Sequence, residues 1–243
     1  MTDNYIVLDT ETTGLNPARD KVLEIGAARI EQGRVVETFE TLIDTGVPIP
    51  ERITELTGIT DAMQAEGKKT KEAFREFFDF CKDLPILGHN ITFDFSFLKQ
   101  MAVNLGYSFE KDGIDTLKIA RKVLADLPSR RLSDLCVHYG IDPGHSHRAL
   151  DDALATHELL QRLWKEFGEK EPDAFAARPM QYSAKKQSPI TDSQKGYLND
   201  LLKYHRIDTN IRIEDMTKSE ASRMIDKIIL NYGRMPKSGR RTG

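Results

Sequence analysis

The sequence predicts an α/β fold in which a mixed β-sheet is flanked by helices and followed by a small C-terminal helical hairpin. Strand-like apolar runs occupy residues 5–43, whereas helical periodicity dominates residues 51–166. A short strand-like run interrupts the helical patterns. Strands that precede helices with interspersed short strands favour a mixed sheet covered by helices. With 243 residues, the chain is long enough for one large domain and an appendage.

The elements follow in order along the chain. Strands are predicted at residues 5–9, 22–31 and 35–43, and Gln32-Gly33 provides a turn between the second and the third. Helical periodicity predicts helices at residues 51–57, 71–83, 94–105, 115–125, 131–139 and 148–166. A further short strand is predicted at residues 85–88, between the second and third helices.

Residues 168–190 lose both periodicities. They are rich in Gly, Glu, Pro, Ala, Lys and Ser, a composition typical of a linker. The sequence therefore predicts a large domain at residues 1–167, a linker at 168–190, a small helical module at 191–235 and a basic tail at 236–243. The module resembles a small helical module of unknown function that recurs in bacterial proteins, which implies no activity.

Two capping boxes predict the helices of this module. Thr191 with Gln194 begins the first helix and Thr217 with Glu220 begins the second, so each cap satisfies orphan backbone donors. Gly233 ends the second helix. The apolar stripes are Leu198, Leu201 and Leu202 on the first helix and Ala221, Met224, Ile225, Ile228, Ile229 and Tyr232 on the second. A hairpin of this size buries little core by itself, so we expect it to dock or to dimerise.

Asp9 and Glu11 end the first strand-like run, in the segment VLDTETTGL. In an extended chain, side chains two residues apart lie on the same face. Two carboxylates held this close repel each other and raise each other's pKa, so a fold that keeps both favours a bound cation between them. Ligands that are all oxygen atoms suit Mg²⁺ or Mn²⁺ better than Zn²⁺.

Two further acidic positions support a metal site. Asp94 stands among apolar and aromatic residues after the short predicted strand, where an unpaired carboxylate is costly. His147 and Asp152 open the last long helical pattern and lie about one and a half helical turns apart. One acidic pair arises easily by chance, but three such clusters in one chain favour a common site.

The order of these residues resembles the DEDDh, or DnaQ-like, family of 3′-to-5′ exonucleases: Asp9 and Glu11, then Asp94, then His147 with Asp152. The similarity extends over residues 4–167 and is greatest to the proofreading branch, which includes the epsilon subunit and the exonuclease domains of bacterial DNA polymerase III. It rests on three matches in the same order, which are DTETTGL at 9–15, IP at 49–50 with LTGI at 56–59, and HxAxxD at 147–152.

The resemblance implies a ribonuclease-H-like fold and two bound divalent metal ions, Mg²⁺ or Mn²⁺. In that fold the first motif lies on the central strand and the third on a helix packed across it. Asp9 would bridge both ions, and Glu11 with Asp152 would complete the ion on the nucleophile side. Asp94 would hold the other ion mainly through water. His147 would take the proton from the attacking water, a task suited to an imidazole.

Residues around the first two motifs are candidates for holding the 3′ end. In the family, the first-motif loop supports the terminal sugar and wedges against the last base, and Thr12, Thr13 and Leu15 occupy that loop here. Phe93 and Phe97 could stack on bases, although a core position is favoured for Phe97. The predicted substrate-binding set is Thr10, Thr12, Thr13, Leu15, His89, Asn90, Phe93 and Phe97. None of them reads base identity, so we expect little sequence preference and a need for an unpaired 3′ end.

Charge is distributed unevenly along the chain. Residues 179–243 contain 13 basic and 7 acidic side chains, whereas residues 1–178 contain 22 and 31. The basic part could attract phosphate groups for the acidic domain, or it could be a solvated tail. Its cations include Lys195, Lys203, Lys218, Arg223, Lys227, Arg234, Lys237, Arg240 and Arg241. We therefore expect the C-terminal helices to bind either nucleic acid or a protein partner.

The N-terminal residues match neither a signal peptide nor a membrane span, which predicts a cytoplasmic protein without a membrane partner. Cys81 and Cys136 are far apart and outside any Cys-x-x-Cys pattern, so we expect reduced thiols in the core.

The sequence thus predicts a two-metal 3′-to-5′ exonuclease that releases nucleoside 5′-monophosphates from single-stranded or frayed DNA 3′ ends. Families that trim RNA share the acidic residues, so a 3′-to-5′ exoribonuclease is one alternative. The other is a non-catalytic nucleic-acid-binding adaptor, which would bind nucleic acid without forming a metal-dependent product. The sequence contains no recognisable polymerase domain, so a polymerase or repair partner would act in trans.

Overall fold

The computed structural model describes residues 2–144, 147–209 and 211–236. The chain divides into two compact units, one formed by residues 1–45 with 49–185 and the other by residues 46–48 with 186–243. Within the described ranges, no helix combines the length and the apolar character that a membrane crossing requires. Most of the predicted basic tail, including Lys237, Arg240 and Arg241, lies outside the described residues.

A mixed sheet of seven strands forms the centre of the first unit. The strands are β1 (Tyr5–Thr12), β2 (Val22–Glu31), β3 (Arg34–Asp44), β4 (Lys68–Lys69), β5 (Ile86–Gly88), β6 (Asp112–Asp115) and β7 (Arg178–Pro179). Their order in the sheet is β4-β3-β2-β1-β5-β6-β7. β2 runs antiparallel to both of its neighbours, β1 and β3, whereas β5 joins β1 in parallel and β6 joins β5 in parallel. The mixed sheet flanked by helices that the sequence predicts is therefore confirmed.

The helices of this unit agree closely with the sequence pattern. They are α1 (Glu51–Thr57), α2 (Asp61–Ala65), α3 (Thr70–Cys81), α4 (Ile91–Leu105), α5 (Thr116–Val123), α6 (Leu132–Tyr139) and α7 (Ala149–Phe167). All six predicted helices are present, and the largest displacement of an end is at α4, which begins at Ile91 rather than at residue 94. The N-cap residue Asn90 has a left-handed φ of 71°, which turns the chain into α4 directly after β5.

Alternation along β1 divides the core into two layers. Ile6 and Leu8 belong to the layer that contains residues of α3 and α4, whereas Tyr5 and Val7 belong to the layer that contains residues of α5, α6 and α7. All four side chains are fully buried, as expected for a central strand that is covered on both faces. Because side chains alternate along a strand, Asp9 follows Tyr5 and Val7 onto the α7 side.

Several short elements are not predicted by the sequence pattern: α2, β4, β6, β7 and a 3₁₀ helix at Pro172–Phe175. β6 ends at Asp115, where the sequence predicts the start of a helix. The helix α5 begins one residue later because Asp115 is its cap, and the Asp115 side chain accepts hydrogen bonds from the backbone N–H groups of Leu117 and Lys118. Strands this short carry too little alternation to be recognised.

The segment expected to be a linker contributes to the first unit as far as Lys185. Phe175 is fully buried, and its ring lies edge-on to Trp164 with 5.1 Å between the ring centroids. β7 then pairs antiparallel with β6 at the edge of the sheet. Residues 172–185 therefore differ from the linker expectation, because a buried aromatic side chain and an edge strand attach them to the domain.

The second unit contains α8 (Asp192–His205) and α9 (Lys218–Tyr232). Both capping boxes are present, with Thr191 and Gln194 at α8 and Thr217 and Glu220 at α9. The buried core of this unit consists of Ile190, Leu198, Leu201, Leu202, Ile213, Met216, Ala221 and Ile228. Tyr232 departs from the predicted apolar stripe and is 57% exposed, because it ends α9 one turn beyond the last buried residue.

Candidate metal centre

The candidate site lies at the C-terminal end of β1. β1 pairs with β2 so that Asp9 is opposite Gly26 and Glu11 is opposite Glu24, and the register shifts immediately after Glu11. Asp9 and Glu11 keep part of their surface exposed, whereas residues 5–8 are buried. Strand alternation therefore brings the two carboxylates to one face, as the sequence predicts.

Asp94 approaches this site from the first turn of α4. β5 runs parallel to β1, so the start of α4, directly after β5, lies beside the end of β1. Asp94 is only 3% exposed, and its Oδ1 accepts hydrogen bonds from the backbone N–H of Thr10 at 3.0 Å and from the Thr10 hydroxyl at 2.7 Å. Thr10 was expected to bind substrate, but its buried side chain is instead directed to Asp94 and fixes that carboxylate.

α7 supplies the third motif. His147 has a φ of 67°, and its backbone N–H donates to Oδ2 of Asp152 at 3.2 Å. The helix passes directly over Gly26, where a Cβ atom would lie 2.0 Å from the backbone N of Leu150. A residue without a Cβ is therefore required for this close approach. As a result, α7 carries Asp152 down to the level of Glu11.

Three of the predicted residues converge most closely. A carboxylate oxygen of Glu11, a ring nitrogen of His147 and a carboxylate oxygen of Asp152 all lie within 4.8 Å of one another. Asp9 lies close enough to Asp94, Glu11 and Asp152 for their charges to act on it. The fold therefore brings all five residues of the predicted catalytic set to one end of the sheet.

The electrostatics of this cluster favour bound cations. Burial, followed by repulsion from Asp94 and Glu11, raises the pKa of Asp9 well above its usual range. Burial, followed by repulsion from Asp152, raises the pKa of Glu11 to about 8. Burial is also the main cause that raises the pKa of Asp94 and that of Asp152. The mutual repulsion of these carboxylates would be relieved by a divalent cation bound among them.

The chemistry of the donor atoms fits hard divalent metal ions. Four carboxylates offer oxygen atoms, the donors that Mg²⁺ and Mn²⁺ prefer. The nearby guanidinium of Arg148 forms ion pairs with Glu24 and Glu40. It lowers the pKa of Glu11 by less than burial or any one of the neighbouring carboxylates raises it. Cys81 and Cys136 are buried free thiols within the two core layers, as predicted.

Thr12 and Thr13 shape the loop that follows β1. The Thr12 hydroxyl donates to the carbonyl of Gly14 at 2.7 Å, and the Thr13 hydroxyl accepts from the backbone N–H of Lys21 at 2.9 Å. Both side chains are buried within this hydrogen-bonded loop. Leu15, by contrast, is 79% exposed. The loop that follows β1 thus presents one apolar side chain to solvent, and the role of Leu15 as a wedge stays a prediction.

His89 and Asn90 occupy different environments. His89 Nδ1 lies 2.9 Å from the Thr116 hydroxyl and Nε2 lies 2.8 Å from the Arg130 carbonyl oxygen, and burial lowers the pKa of His89. With both ring nitrogens used inside the protein, His89 ties β5 to α5, in contrast to the expectation that it binds substrate. Asn90 is exposed, and its backbone N–H donates to Oδ1 of Asp115 at 3.1 Å.

Phe93 and Phe97 pack against each other with 5.0 Å between their ring centroids. Phe97 is 2% exposed and belongs to the core layer beneath α4, so it has no face on which a base could stack. The core position favoured from the sequence is therefore observed. Phe93 is only partly buried and retains a surface that faces solvent.

The sequence analysis did not identify two residues of β2 that position α7 at the site. Glu24 is fully buried and accepts hydrogen bonds from Arg148 and from the backbone N–H of Ala149. Gly26 allows α7 to approach the sheet. A signal for Glu24 was present, because an acidic residue inside the apolar run VLEIGAARI is expensive to bury without partners.

Comparisons with known proteins agree with this geometry. A family model described as Exonuclease (RNase_T) matches residues 6–160. The DNA polymerase III subunit epsilon of Aquifex aeolicus is 36% identical over 169 residues, which covers 68% of this chain and 84% of that protein. The PolC-type DNA polymerase III of Caldanaerobacter subterraneus subsp. tengcongensis is 36% identical over 165 residues, which covers 68% of this chain and 12% of that protein. The chain therefore spans only a small part of the PolC-type relatives.

Solved structures share the fold. The zinc-bound complex of E. coli exonuclease I with single-stranded DNA has a TM-score of 0.63 at 23% identity and covers 71% of this chain and 42% of that chain. Exonuclease X in complex with 5′-overhanging duplex DNA has a TM-score of 0.55 at 24% identity and covers 68% of this chain and 93% of that chain. The ribonuclease-H-like fold implied by the sequence resemblance is thereby confirmed.

Proposed function

The chain belongs to the DnaQ-like family of 3′-to-5′ exonucleases, and we propose that it hydrolyses single-stranded or frayed DNA from the 3′ end and releases nucleoside 5′-monophosphates. One observation carries this proposal: a carboxylate oxygen of Glu11, a ring nitrogen of His147 and a carboxylate oxygen of Asp152 lie within 4.8 Å of one another. Asp9 and Asp94 stand close enough to them for mutual repulsion. All the groups that the family's chemistry requires are therefore present at one end of the sheet.

The carboxylates have a defined part in this reaction. Divalent metal ions are general in the family, and when bound they supply an activated hydroxide and neutralise charge on the leaving oxygen. Asp9, Glu11, Asp94 and Asp152 would hold them, and the all-oxygen set favours Mg²⁺ or Mn²⁺. The two hydrogen bonds from Thr10 hold one oxygen of Asp94, so this carboxylate is already oriented before a metal arrives.

His147 is the proposed general base. His147 is exposed, and its backbone N–H donates a hydrogen bond to the Asp152 carboxylate. An exposed imidazole beside a carboxylate cluster can accept a proton from the attacking water and then release it to solvent. The left-handed φ of 67° places this residue just outside α7, at the rim of the site.

DNA with an unpaired 3′ end is the proposed substrate. The solved relatives include one bound to single-stranded DNA and one bound to overhanging duplex DNA, which supports this choice. Leu15 and Phe93 keep solvent-facing apolar surface and are the proposed contacts for the terminal nucleotide. RNA with the same sequence is the competing substrate, because the carboxylate chemistry is common to both.

The test is digestion of a 5′-labelled single-stranded DNA oligonucleotide with Mg²⁺, Mn²⁺ or EDTA, beside an RNA of the same sequence. A metal-dependent ladder that shortens from the 3′ end of DNA is expected, and faster digestion of RNA would reassign the substrate. Asp152→Asn should remove the ladder. Asp151→Asn is the matched control, since it changes the neighbouring residue of the same type and should leave the ladder unchanged.

Binding of the oligonucleotide without any product in the presence of either metal would favour the adaptor alternative instead. The relatives named as DNA polymerase III subunits support a proposal that this chain acts beside a polymerase or repair partner in trans. A cytoplasmic location stays a prediction from the sequence.

A further inference from the structure

We propose that Glu24 is a positioning residue of this site. From β2 it holds the first turn of α7, and with it both His147 and Asp152, in the place that metal binding requires. The inference rests on the proposed function and adds a residue that the family's catalytic motif does not contain.

Among the described residues, the cap of α7 comes from another element of the fold. Its N-cap residue, Arg148, makes no side-chain capping hydrogen bond. Instead, Oε2 of Glu24 accepts a hydrogen bond from the backbone N–H of Ala149 at 3.0 Å. A carboxylate in this position satisfies an orphan donor and interacts favourably with the positive end of the helix dipole. The cap of α7 is therefore supplied by the sheet.

The same carboxylate also binds the side chain of Arg148. Oε1 of Glu24 lies 2.7 Å from Nη2 and 3.1 Å from Nε of that guanidinium. Arg148 Nη2 contacts Glu40 Oε1 as well, at 2.8 Å. The Glu24 side chain is fully buried, whereas the Glu40 side chain is 44% exposed. Buried charge-assisted bonds hold geometry more firmly than solvated ones, so Glu24 is the principal anchor.

The anchored segment lies between two residues of the proposed site. Arg148 and Ala149 are two of the four residues between His147 and Asp152, so a shift of this turn displaces both. In the sheet, Glu24 on β2 lies directly opposite Glu11 on β1. One side chain thus connects the strand pair that carries the first motif to the helix that carries the third. This connection spans 125 residues of sequence.

The direct test compares three variants with the wild type. Glu24→Gln removes the charge while it keeps the shape of the side chain. Glu40→Gln is the matched control, since it changes the other carboxylate that contacts Arg148 but leaves the helix cap intact. Leu163→Ala makes a cavity at a fully buried position near the far end of α7 and controls for lost stability. The number and affinity of Mn²⁺ sites are measured by electron paramagnetic resonance, together with kcat, KM and Tm.

Loss of a residue that orients metal ligands typically costs about 10- to 100-fold in metal affinity or activity. We expect Glu24→Gln to weaken Mn²⁺ binding and lower kcat by a factor in this range, with the KM for DNA changed by less than about twofold. Raising the Mn²⁺ concentration should recover part of the rate. Glu40→Gln and Leu163→Ala should bind Mn²⁺ as the wild type does, even though Leu163→Ala lowers Tm.

The proposal is overturned if Glu24→Gln lowers Tm but binds Mn²⁺ and turns over DNA as the wild type does, since Glu24 would then be structural only. If Glu24→Gln does not fold, Arg148→Ala removes the guanidinium from the same anchor and is subject to the same criterion. Failure of the proposed function would look different. A wild type that binds Mn²⁺ but cleaves neither DNA nor RNA would refute the nuclease assignment, while the Mn²⁺ affinities would still test Glu24.

Discussion

Asp9 illustrates how single residues of this site trade stability for function. Burial and the neighbouring carboxylates raise its pKa, so its charged form is unfavourable in the metal-free fold. Asp9→Asn should therefore abolish turnover while leaving the Tm in EDTA equal to or above that of the wild type, because the variant no longer has the free-energy cost of holding this ionisable group in the cluster. A metal-dependent nuclease assay and a thermal melt of the same preparation check both parts. Near-normal turnover in this variant would contradict the metal assignment.

His147 is predicted to contribute proton transfer rather than structure. His147 is exposed, so removal of its imidazole should cost little stability. We expect His147→Ala to lower the single-turnover rate by roughly 10²- to 10⁴-fold, the usual contribution of a general base, with Tm nearly unchanged. His138→Ala, at an exposed position on α6, is the control and should keep the wild-type rate. An unaltered rate in His147→Ala would refute its role as the base.

At the scale of elements, the contact between α7 and β2 determines whether the third motif reaches the first. A methyl group at Gly26 would lie 2.0 Å from the backbone of α7, which has no flexible atoms with which to yield. Gly26→Ala should destabilise the first unit by at least about 1–3 kcal/mol, as overpacking does, and should also lower activity. Urea unfolding and the nuclease assay measure the two effects.

Gly196 provides the contrasting case for this prediction. It lies inside α8, and a Cβ atom there would meet nothing within 4 Å. Gly196→Ala should therefore stabilise the second unit by about 0.5–1 kcal/mol, because alanine loses less conformational entropy in a helix. If the two glycine variants had the same effect on urea unfolding, the close approach at Gly26 would not be the cause.

The sequence predicts long elements better than the contacts between them. The six helices are recognisable because each repeats its apolar positions over about two turns or more, and the first motif is recognisable from two carboxylates on one strand. β6 and α2 carry too few residues for such a pattern. The roles of Glu24 and Gly26 depend on α7, which lies more than 100 residues further along the chain. His89 shows the same limit, since its partners Thr116 and Arg130 belong to other elements.

At the scale of the whole molecule, the carboxylate cluster should make metal-free stability depend on pH. The pKa of Glu11 is raised from 4.5 to about 8, so the folded state binds more protons than the unfolded state between these values. Stability should therefore fall as pH rises through this window. The lowered pKa of His89 makes stability rise with pH, which opposes this effect. The measured quantity is therefore the difference in Tm between the wild type and Glu11→Gln. Both proteins contain His89, so its contribution cancels in the difference.

In EDTA, we expect the Tm of the wild type to fall relative to that of Glu11→Gln from about pH 5 to about pH 8. Saturating Mg²⁺ or Mn²⁺ should remove most of this decline, because bound cations neutralise the cluster. A difference in Tm that does not change with pH would show that Glu11 is ionised throughout this range.

The boundary of the catalytic domain can be tested by truncation. Residues 1–185 contain every residue of the proposed site, so this fragment should fold and retain activity toward a small thymidine monophosphate ester. A fragment that ends at residue 167 should be markedly less stable, because it lacks Phe175 and β7 and leaves one core layer uncovered.

Phe175→Ala in the full chain separates these two causes. Removal of a fully buried Phe costs about 3–5 kcal/mol, so this variant should reproduce most of the instability of the shorter fragment while keeping β7 in the chain. Urea unfolding of all three proteins provides the comparison. Equal stability of the fragments that end at 167 and 185 would mean that residues 168–185 act as a linker after all, and that the Trp164–Phe175 contact contributes nothing to the fold.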